Sequence, residues 1–361
     1  MVVQRTSVGL DVHARSVVAS ALDGVTGEIT ERRLTPAYED VAAWIESLPG
    51  PVKATYEAGP TGFGLARFLT GRGLDVQVAA PSKLMRPSGD RVKTDVRDAR
   101  HLARLLHAGQ IVAVTIPDAA TEAARDLVRA REDARGDLMS ARHRVAKLLL
   151  RQGIVWSGGK AWTGIHDRWL RAQRFESVPL QLAYDTAYDT MLAAVARRDR
   201  LDEAIADLAA DSTFTPLVHR LGCLRGVSTL TGFGLAVEIG DWRRFTGRSI
   251  GAYLGLVPTE SSSGATRSQG GITKTGNGHA RRLLIEAAWH HRPAYRAPGM
   301  DLRRRWKAAS PAAVDRGRRA NRRLAARWAH FDARGKRSTV ANAAIARELA
   351  GWCWSLAILE D

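Results

Sequence analysis

Cysteine is nearly absent from this 361-residue sequence: Cys223 and Cys353 are the only two, and they make neither a disulfide framework nor a CxxC zinc pair. Residues 1–30 lack the basic flank and continuous apolar run of a secretory signal, so a reducing cytoplasm is the expected compartment. The longest strongly apolar stretch, Leu349 to Leu359, is far short of the roughly 20 residues that span a bilayer, and no transmembrane helix is expected. There is no P-loop, no HExxH and no GxSxG string, which removes the usual support for nucleotide hydrolysis, zinc proteolysis and ester hydrolysis. Acidic residues are also scarce, 37 against 54 Lys and Arg, for a net +17 and a pI of about 10.7. Such an excess points to a polyanion partner. It is uneven: residues 1–120 hold 14 basic and 13 acidic groups, whereas Arg296 to Arg337 holds 14 basic and three acidic. The first third is neutral, and the tail reads as a cationic arm. Solvated surface charge explains part of the total but not the clustering.

What is present is 45% hydrophobic content, enough in a chain of this length for one large core or two to three ordinary ones. Short β-rich runs at 6–12, 16–22 and 29–34 are followed by a helix at 37–47, a strand at 52–56, a helix at 62–71, a strand at 75–79 and a helix at 95–107. This βββαβαβα order predicts an α/β domain with a mixed sheet. From Thr121 to Leu150 the apolar residues fall at alternating steps of three and four, the mark of one long helix with a narrow seam. A second such stretch, Tyr184 to Ala209, is expected to pair with it antiparallel. If it did not, the seam would suit pairing between chains. The link between them carries Trp156, Trp162 and Trp169, as a packed elbow or as a stacking platform for bases. Beyond Leu221, Cys223 to Ser228 resembles the turn of a helix-hairpin-helix, with Gly226 as pivot and its amides open to phosphate. A helix at 229–239, a short one at 249–254, a Ser/Thr/Gly-rich loop at 259–278, a helix at 279–290, the basic arm and an amphipathic helix at 340–359 complete the chain. Four regions are expected: 1–118, 119–212, 213–300 and 301–361.

Two constellations carry chemistry. Asp11 closes the first strand, Glu57 closes a later one, and Asp95 and Asp98 sit three apart at a helix start, so they share a face. Singly, each acid is a helix cap or surface charge. If the sheet brings the strand ends together, four carboxylates converge and repel unless divalent cations neutralise them. Oxygen donors suit Mg2+ or Mn2+, and two such ions clamp the attacking and leaving oxygens of a phosphodiester exchange. The second constellation is Ser261-Ser262-Ser263-Gly264, ahead of Arg267 and Lys274. It is a flexible hydrogen-bonding loop, or it offers a nucleophile toward phosphorus with cations holding the phosphate oxygens.

The strings Gly-Leu-Asp-Val-His (9–13), Tyr-Glu-Ala-Gly-Pro-Thr-Gly (56–62) and Lys-Thr-Asp-Val-Arg-Asp-Ala (93–99) recur in a known family, as does the block from Gly255 to Asn277. With Arg-Glu-Leu-Ala-Gly-Trp near the end, the chain resembles the DEDD transposases of the IS110 insertion-sequence family, which includes Piv-like invertases and bridge-RNA-guided recombinases. The resemblance implies a RuvC-like, ribonuclease-H-like domain, then a coiled-coil helical insert and a mainly helical transposase domain. It implies that Asp11, Glu57, Asp95 and Asp98 hold the metal, their carboxylates about 4–8 Å apart, as ions roughly 3.5–4 Å apart require. It assigns the nucleophile to Ser263, with Ser262 as rival, and implies a phosphoserine intermediate, donor and target DNA, a bridge RNA and a dimer or tetramer. Val96 departs from the basic residue many relatives carry there. Arg267, Lys274, Arg318, Arg319, Arg322 and Arg323 are the nucleic-acid-binding candidates. A RuvC-like nuclease acting on branched DNA would need the acids but no serine. An architectural nucleic-acid-binding protein would need neither.

Overall fold

The structure, a computed structural model, describes residues 4–85, 94–263 and 266–360, with 262–263 and 266–267 described in backbone only. It divides into two compact units, Met1–Asp118 and Ala119–Asp361.

The first unit is built on a sheet. Strands β1 (Thr6–Val12), β2 (Val17–Asp23) and β3 (Ile29–Leu34) form an antiparallel meander. Helix α1 (Tyr38–Glu46) then crosses to β4 (Val52–Glu57) and α2 (Gly64–Gly71) to β5 (Asp75–Ala79), while α3 (Asp95–His107) precedes the two-residue β6 (Ala113–Val114). The order is β3-β2-β1-β4-β5-β6, with β1, β4 and β5 mutually parallel. This is the mixed α/β sheet that the element order predicts. β1 is buried from Thr6 to Leu10 without alternation, because helices cover both of its faces. On one side Val8, Leu10, Tyr56 and Val78 pack with Val41, Ile45, Leu65 and Leu69 of α1 and α2. On the other, Gly9 lies directly against the backbone of α3. Thr94 caps α3, its hydroxyl accepting from the Arg97 N–H at 3.3 Å.

The second unit opens with two 33-residue helices, α4 (Ala119–Arg151) and, after the short α5 (Gly164–Arg171), α6 (Val178–Ala210). Arg131 pairs with Asp202 at 2.6 Å and Asp137 with Arg197 at 2.6 Å, so advance along α4 is retreat along α6. The helices are antiparallel. Leu138, Ala141, Val145 and Leu148 meet Tyr184, Tyr188 and Met191 in one cluster, which fills the seam within the chain. That seam is therefore not available for pairing between chains. The tryptophan link is a packed elbow around buried His166, whose ring lies 5.1 Å from Trp156, 5.0 Å from Trp162 and 5.5 Å from Trp169. The Trp162 N–H donates to His166 Nδ1 at 3.1 Å.

Beyond it, α7 (Thr215–Leu221) and α8 (Thr229–Ile239) flank the Gly226 turn, and α9 (Ser249–Tyr253) follows. A Cβ on Gly226, at φ 77°, would stand 2.3 Å from the Ala287 carbonyl oxygen. Arg225 N–H donates to Asn321 Oδ1 and Val227 N–H to the Leu224 carbonyl. The expected opening of this turn to phosphate is corrected accordingly: two of its amides are used internally, and the glycine is required by close packing. The Ser/Thr/Gly-rich stretch is not a loop but a hairpin, β7 (Pro258–Ser263) with β8 (Thr266–Ile272). Nor is Arg296–Arg337 a free arm. After α10 (Gly278–Ala288) it forms α11 (Met300–Lys307) and α12 (Pro311–Ala333), and α12 sinks Ala313, Ala320, Leu324 and Trp328 into the main core with α13 (Ser338–Ala357). No helix among the described residues is long and apolar enough to cross a membrane.

Candidate active site

Strand periodicity and one helix start build the acidic site. Leu10 of β1 is in register with Tyr56 of β4, and both side chains enter the α1/α2 core. The next residues, Asp11 and Glu57, therefore share the opposite face, on parallel strands roughly 4.8 Å apart. That is the Gly9 face, over which α3 lies. Asp95 and Asp98 occupy the first turn of α3, immediately before Ala99, which touches Gly9.

The side chains meet there. His13 Nε2 is 3.0 Å from Asp11 Oδ2 and 3.8 Å from Asp95 Oδ1, while Arg33 stands 3.6 Å from Asp95 Oδ2. Donor atoms of Asp11, His13 and Asp95 all lie within 4.8 Å of one another. Burial pushes the Asp11 carboxyl above the usual carboxylate range; His13 opposes this, and the charges of Asp95 and Asp98 reinforce it. The site thus accumulates negative charge on oxygen donors, which fits a hard divalent cation, with His13 adding a nitrogen. Asp11, Asp95 and Asp98 are brought within electrostatic reach of one another, and Glu57 stands at the neighbouring strand end. Sequence reasoning passed over His13 as a site residue. Its signal was present: positions 9, 11 and 13 alternate onto one face of an extended strand.

In the second unit Ser262 pairs in backbone register with Arg267 and Ser263 with Thr266. The side chains of these four, together with Lys93 and Gly264, lie outside the described residues. Lys274, just past β8, holds a left-handed φ of 56°. Asn277 caps α10 and also donates to Glu238 at 2.7 Å. Glu238 is buried at the end of α8 and receives Arg129 at 3.0 Å and His279 at 3.1 Å as well. Burial alone would raise its carboxyl; the hydrogen bonds from His279, Arg129 and Asn277 overturn that and hold it at about 2. Asn277, at the end of the sequence block, and His279 just beyond it thus tie the start of α10 to the buried Glu238 of α8. Of the basic candidates, Arg318 stacks on Trp306 at 4.8 Å and Arg322 faces Tyr295 at 5.8 Å. Arg319 pairs with Asp315 at 3.0 Å and Arg323 with Glu348 at 2.5 Å. They form a folded cationic surface, not a tail.

An α/β unit with carboxylates gathered at strand ends, in one chain with a cationic helical unit, defines an enzyme that processes nucleic acid. Comparison with known proteins makes this specific. Residues 8–153 match a family described as DEDD transposase of the IS110 type, and residues 218–302 match the Transposase IS116/IS110/IS902 family. A putative transposase of Sinorhizobium fredii is 38% identical over 97% of this chain and 88% of its own length. The transposase for an insertion sequence of Leptospira borgpetersenii is 30% identical over 80% and 86%, and a probable family 20 transposase of Pseudomonas aeruginosa 27% identical over 83% and 87%. The chain belongs to the IS110 family of insertion-sequence transposases, enzymes that cleave and transfer DNA strands.

Proposed function

We propose that this transposase exchanges strands between donor and target DNA through a phosphoserine intermediate, with Asp11, Glu57, Asp95 and Asp98 holding divalent ions. Mg2+ or Mn2+ there would supply Lewis-acid polarisation of the phosphate. The chain's own part is a nucleophile and its positioning. The Ser263 oxygen bonds to phosphorus as the bond from phosphorus to a deoxyribose oxygen breaks; the hydroxyl proton passes to a base, and the displaced oxygen takes one up. Strand transfer reverses the exchange with a second DNA end. A bridge RNA pairing with both DNAs selects the sites, and two or four copies act together. The reading is carried by the gathering of Asp11, His13 and Asp95 donor atoms within 4.8 Å at the strand ends. The strand order, a meander followed by two parallel crossovers, supports a RuvC-like unit, and the α4/α6 pair supports a coiled-coil insert between it and the transposase domain.

The test uses a nicked DNA substrate that traps covalent protein. Ser263→Ala is expected to abolish the protein–DNA adduct and strand transfer, Ser262→Ala to retain both, and Asp95→Asn to abolish both. Metal-dependent cleavage persisting in Ser263→Ala and Ser262→Ala alike would favour a nuclease acting on branched DNA. Sequencing RNA that co-purifies with the protein tests the guide, and its absence would remove that part.

A further inference from the structure

Helix α13 has two working faces. Ala341, Ile345, Leu349, Cys353 and Leu356 are buried in the main core. On its other side Ala344, Arg347, Gly351 and Ser355, again at steps of three and four, line a groove of about 1210 Å³. The opposite wall of the groove is the base of the serine hairpin, Pro258 and Gln269 to Ile272. Trp352, half-buried, lies in its lining.

The charge of this groove is one-sided. Arg248, Lys274, Lys336 and Arg347 line it exposed, and none has a carboxylate partner among the described residues. Glu348 is the one acid in the lining, and it is already shared by Arg323 at 2.5 Å and Arg327 at 3.0 Å. Solvated surface lysines and arginines need no fixed backbone, yet Lys274 has one. A Cβ on Gly276 would stand 1.9 Å from the Tyr253 carbonyl oxygen, and one on Gly255 would stand 2.4 Å from that of Thr275. These two contacts lock the segment around Lys274 in its left-handed conformation.

We propose that this groove binds a single unpaired DNA strand and leads it to the serine hairpin. The cations fit phosphate, while the small residues and Trp352 fit bases, which only an unpaired strand can present to an aromatic surface. DNA is the substrate on which a transposase acts, and the groove is continuous with the hairpin that carries Ser261 to Ser263. The direction of the strand toward serine rests on the phosphoserine reading. Binding of the strand does not.

The test measures fluorescence anisotropy of a labelled oligo-dT strand with the full-length protein. Lys336→Ala/Arg347→Ala and, separately, Trp352→Ala are each expected to weaken binding about tenfold, as loss of phosphate contacts or of one stacking base does. Arg168→Ala/Arg304→Ala removes the same charge from exposed positions outside the groove and is expected to leave strand binding within about twofold. Blunt duplex DNA should be affected equally little by the groove and control variants. Equal losses in the groove and control variants would overturn the proposal, as would a loss confined to duplex, or a groove that binds the matching RNA strand and not DNA. A Trp352→Ala protein that melts early is replaced by Trp352→Phe, which keeps a stacking face and is expected to bind within about threefold of wild type; a tenfold loss there would also overturn it. Ser263→Ala is expected to bind the strand normally, so failure of the serine chemistry and failure of the groove read out separately.

Discussion

Gly9 of β1 and Ala99 of α3 are in backbone contact: a Cβ on Gly9 would stand 2.1 Å from the Ala99 carbonyl oxygen and 2.5 Å from the Ala103 nitrogen. That contact sets the height of α3 above the sheet. Asp11 lies two residues further on the same strand face and Asp95 one turn earlier on the helix, so the distance between the acids follows from it.

Gly9→Ala should therefore lift α3 and spread the acids. A cost of about 1–3 kcal/mol is expected from overpacking, together with weakened Mn2+ binding. Thermal melting reads the first and calorimetric Mn2+ titration the second. Unchanged ion affinity in a folded Gly9→Ala protein would show that this contact does not position the site.

Asp11 itself should behave as a functional group that costs stability. Its carboxyl is raised in the folded protein by burial and by the neighbouring acids, so ionisation is disfavoured there. The sign follows: as pH rises through that raised value the folded state loses stability relative to the unfolded one, the reverse of a salt-bridged carboxylate. Asp11→Asn is expected to melt at the same or a slightly higher temperature without divalent ions at pH 7. Mn2+ should raise the Tm of the wild type and leave the variant unmoved, while strand transfer is lost. A variant that melts well below wild type in metal-free buffer would mean that Asp11 is structural.

The first unit was largely legible in the sequence because its strands are apolar and its helices periodic; the order βββαβαβα survives intact. Two other elements were not. Hairpin β7–β8 is made of Ser, Thr and Gly, which carry no apolar alternation, so composition reads as loop where backbone pairing makes strands. In α12 the arginines dominate the composition, and the buried face is set by Ala313, Gly317, Ala320, Leu324, Trp328 and Phe331 at helical spacing, half of them too small to stand out as an apolar stripe. A Cβ on Gly317 would stand 2.6 Å from Cys223 Cβ, so at this position close packing requires the absence of a side chain. The closeness of Asp11 to Asp95 and Asp98 is legible from a strand end and a helix start. For His13 the only signal is its two-residue offset from Asp11, which places both on one face of an extended strand.

Glu238 gives the second unit a defined acid sensitivity. Its carboxylate is buried with Arg129, His279 and Asn277 around it, and its carboxyl falls from 4.5 to about 2 on folding. A depressed carboxyl contributes stability that is complete above the unfolded value and lost as pH falls through the folded one. About 3 kcal/mol should disappear between about pH 4.5 and 2. Glu238→Gln should lose a similar amount at pH 7, because Arg129 and His279 are left facing an uncharged group. Urea denaturation at pH 7 and pH 3.5 checks both: the gap between wild type and variant must narrow at the lower pH. A constant gap would assign the loss to packing.

The last prediction follows from the proposed mechanism, which asks Asp11 and Ser263, in separate units of the chain, to serve one reaction. A serine hydroxyl is a weak nucleophile at neutral pH and needs a base or a metal beside it. Under that proposal the acids of the first unit would supply such assistance. Exchange between two duplexes also needs several active sites in one assembly. If the serine of one chain works with the acids of another, a lone protomer cannot nick DNA, and activity waits on assembly. Mixing a Ser263→Ala protein with an Asp11→Ala protein is then expected to restore strand transfer, since some assemblies pair an intact serine with an intact acid cluster. The yield should peak near equal amounts of the two and fall toward zero at either extreme. Failure to recover activity, with both variants folded and assembling on DNA, would confine the site to a single chain.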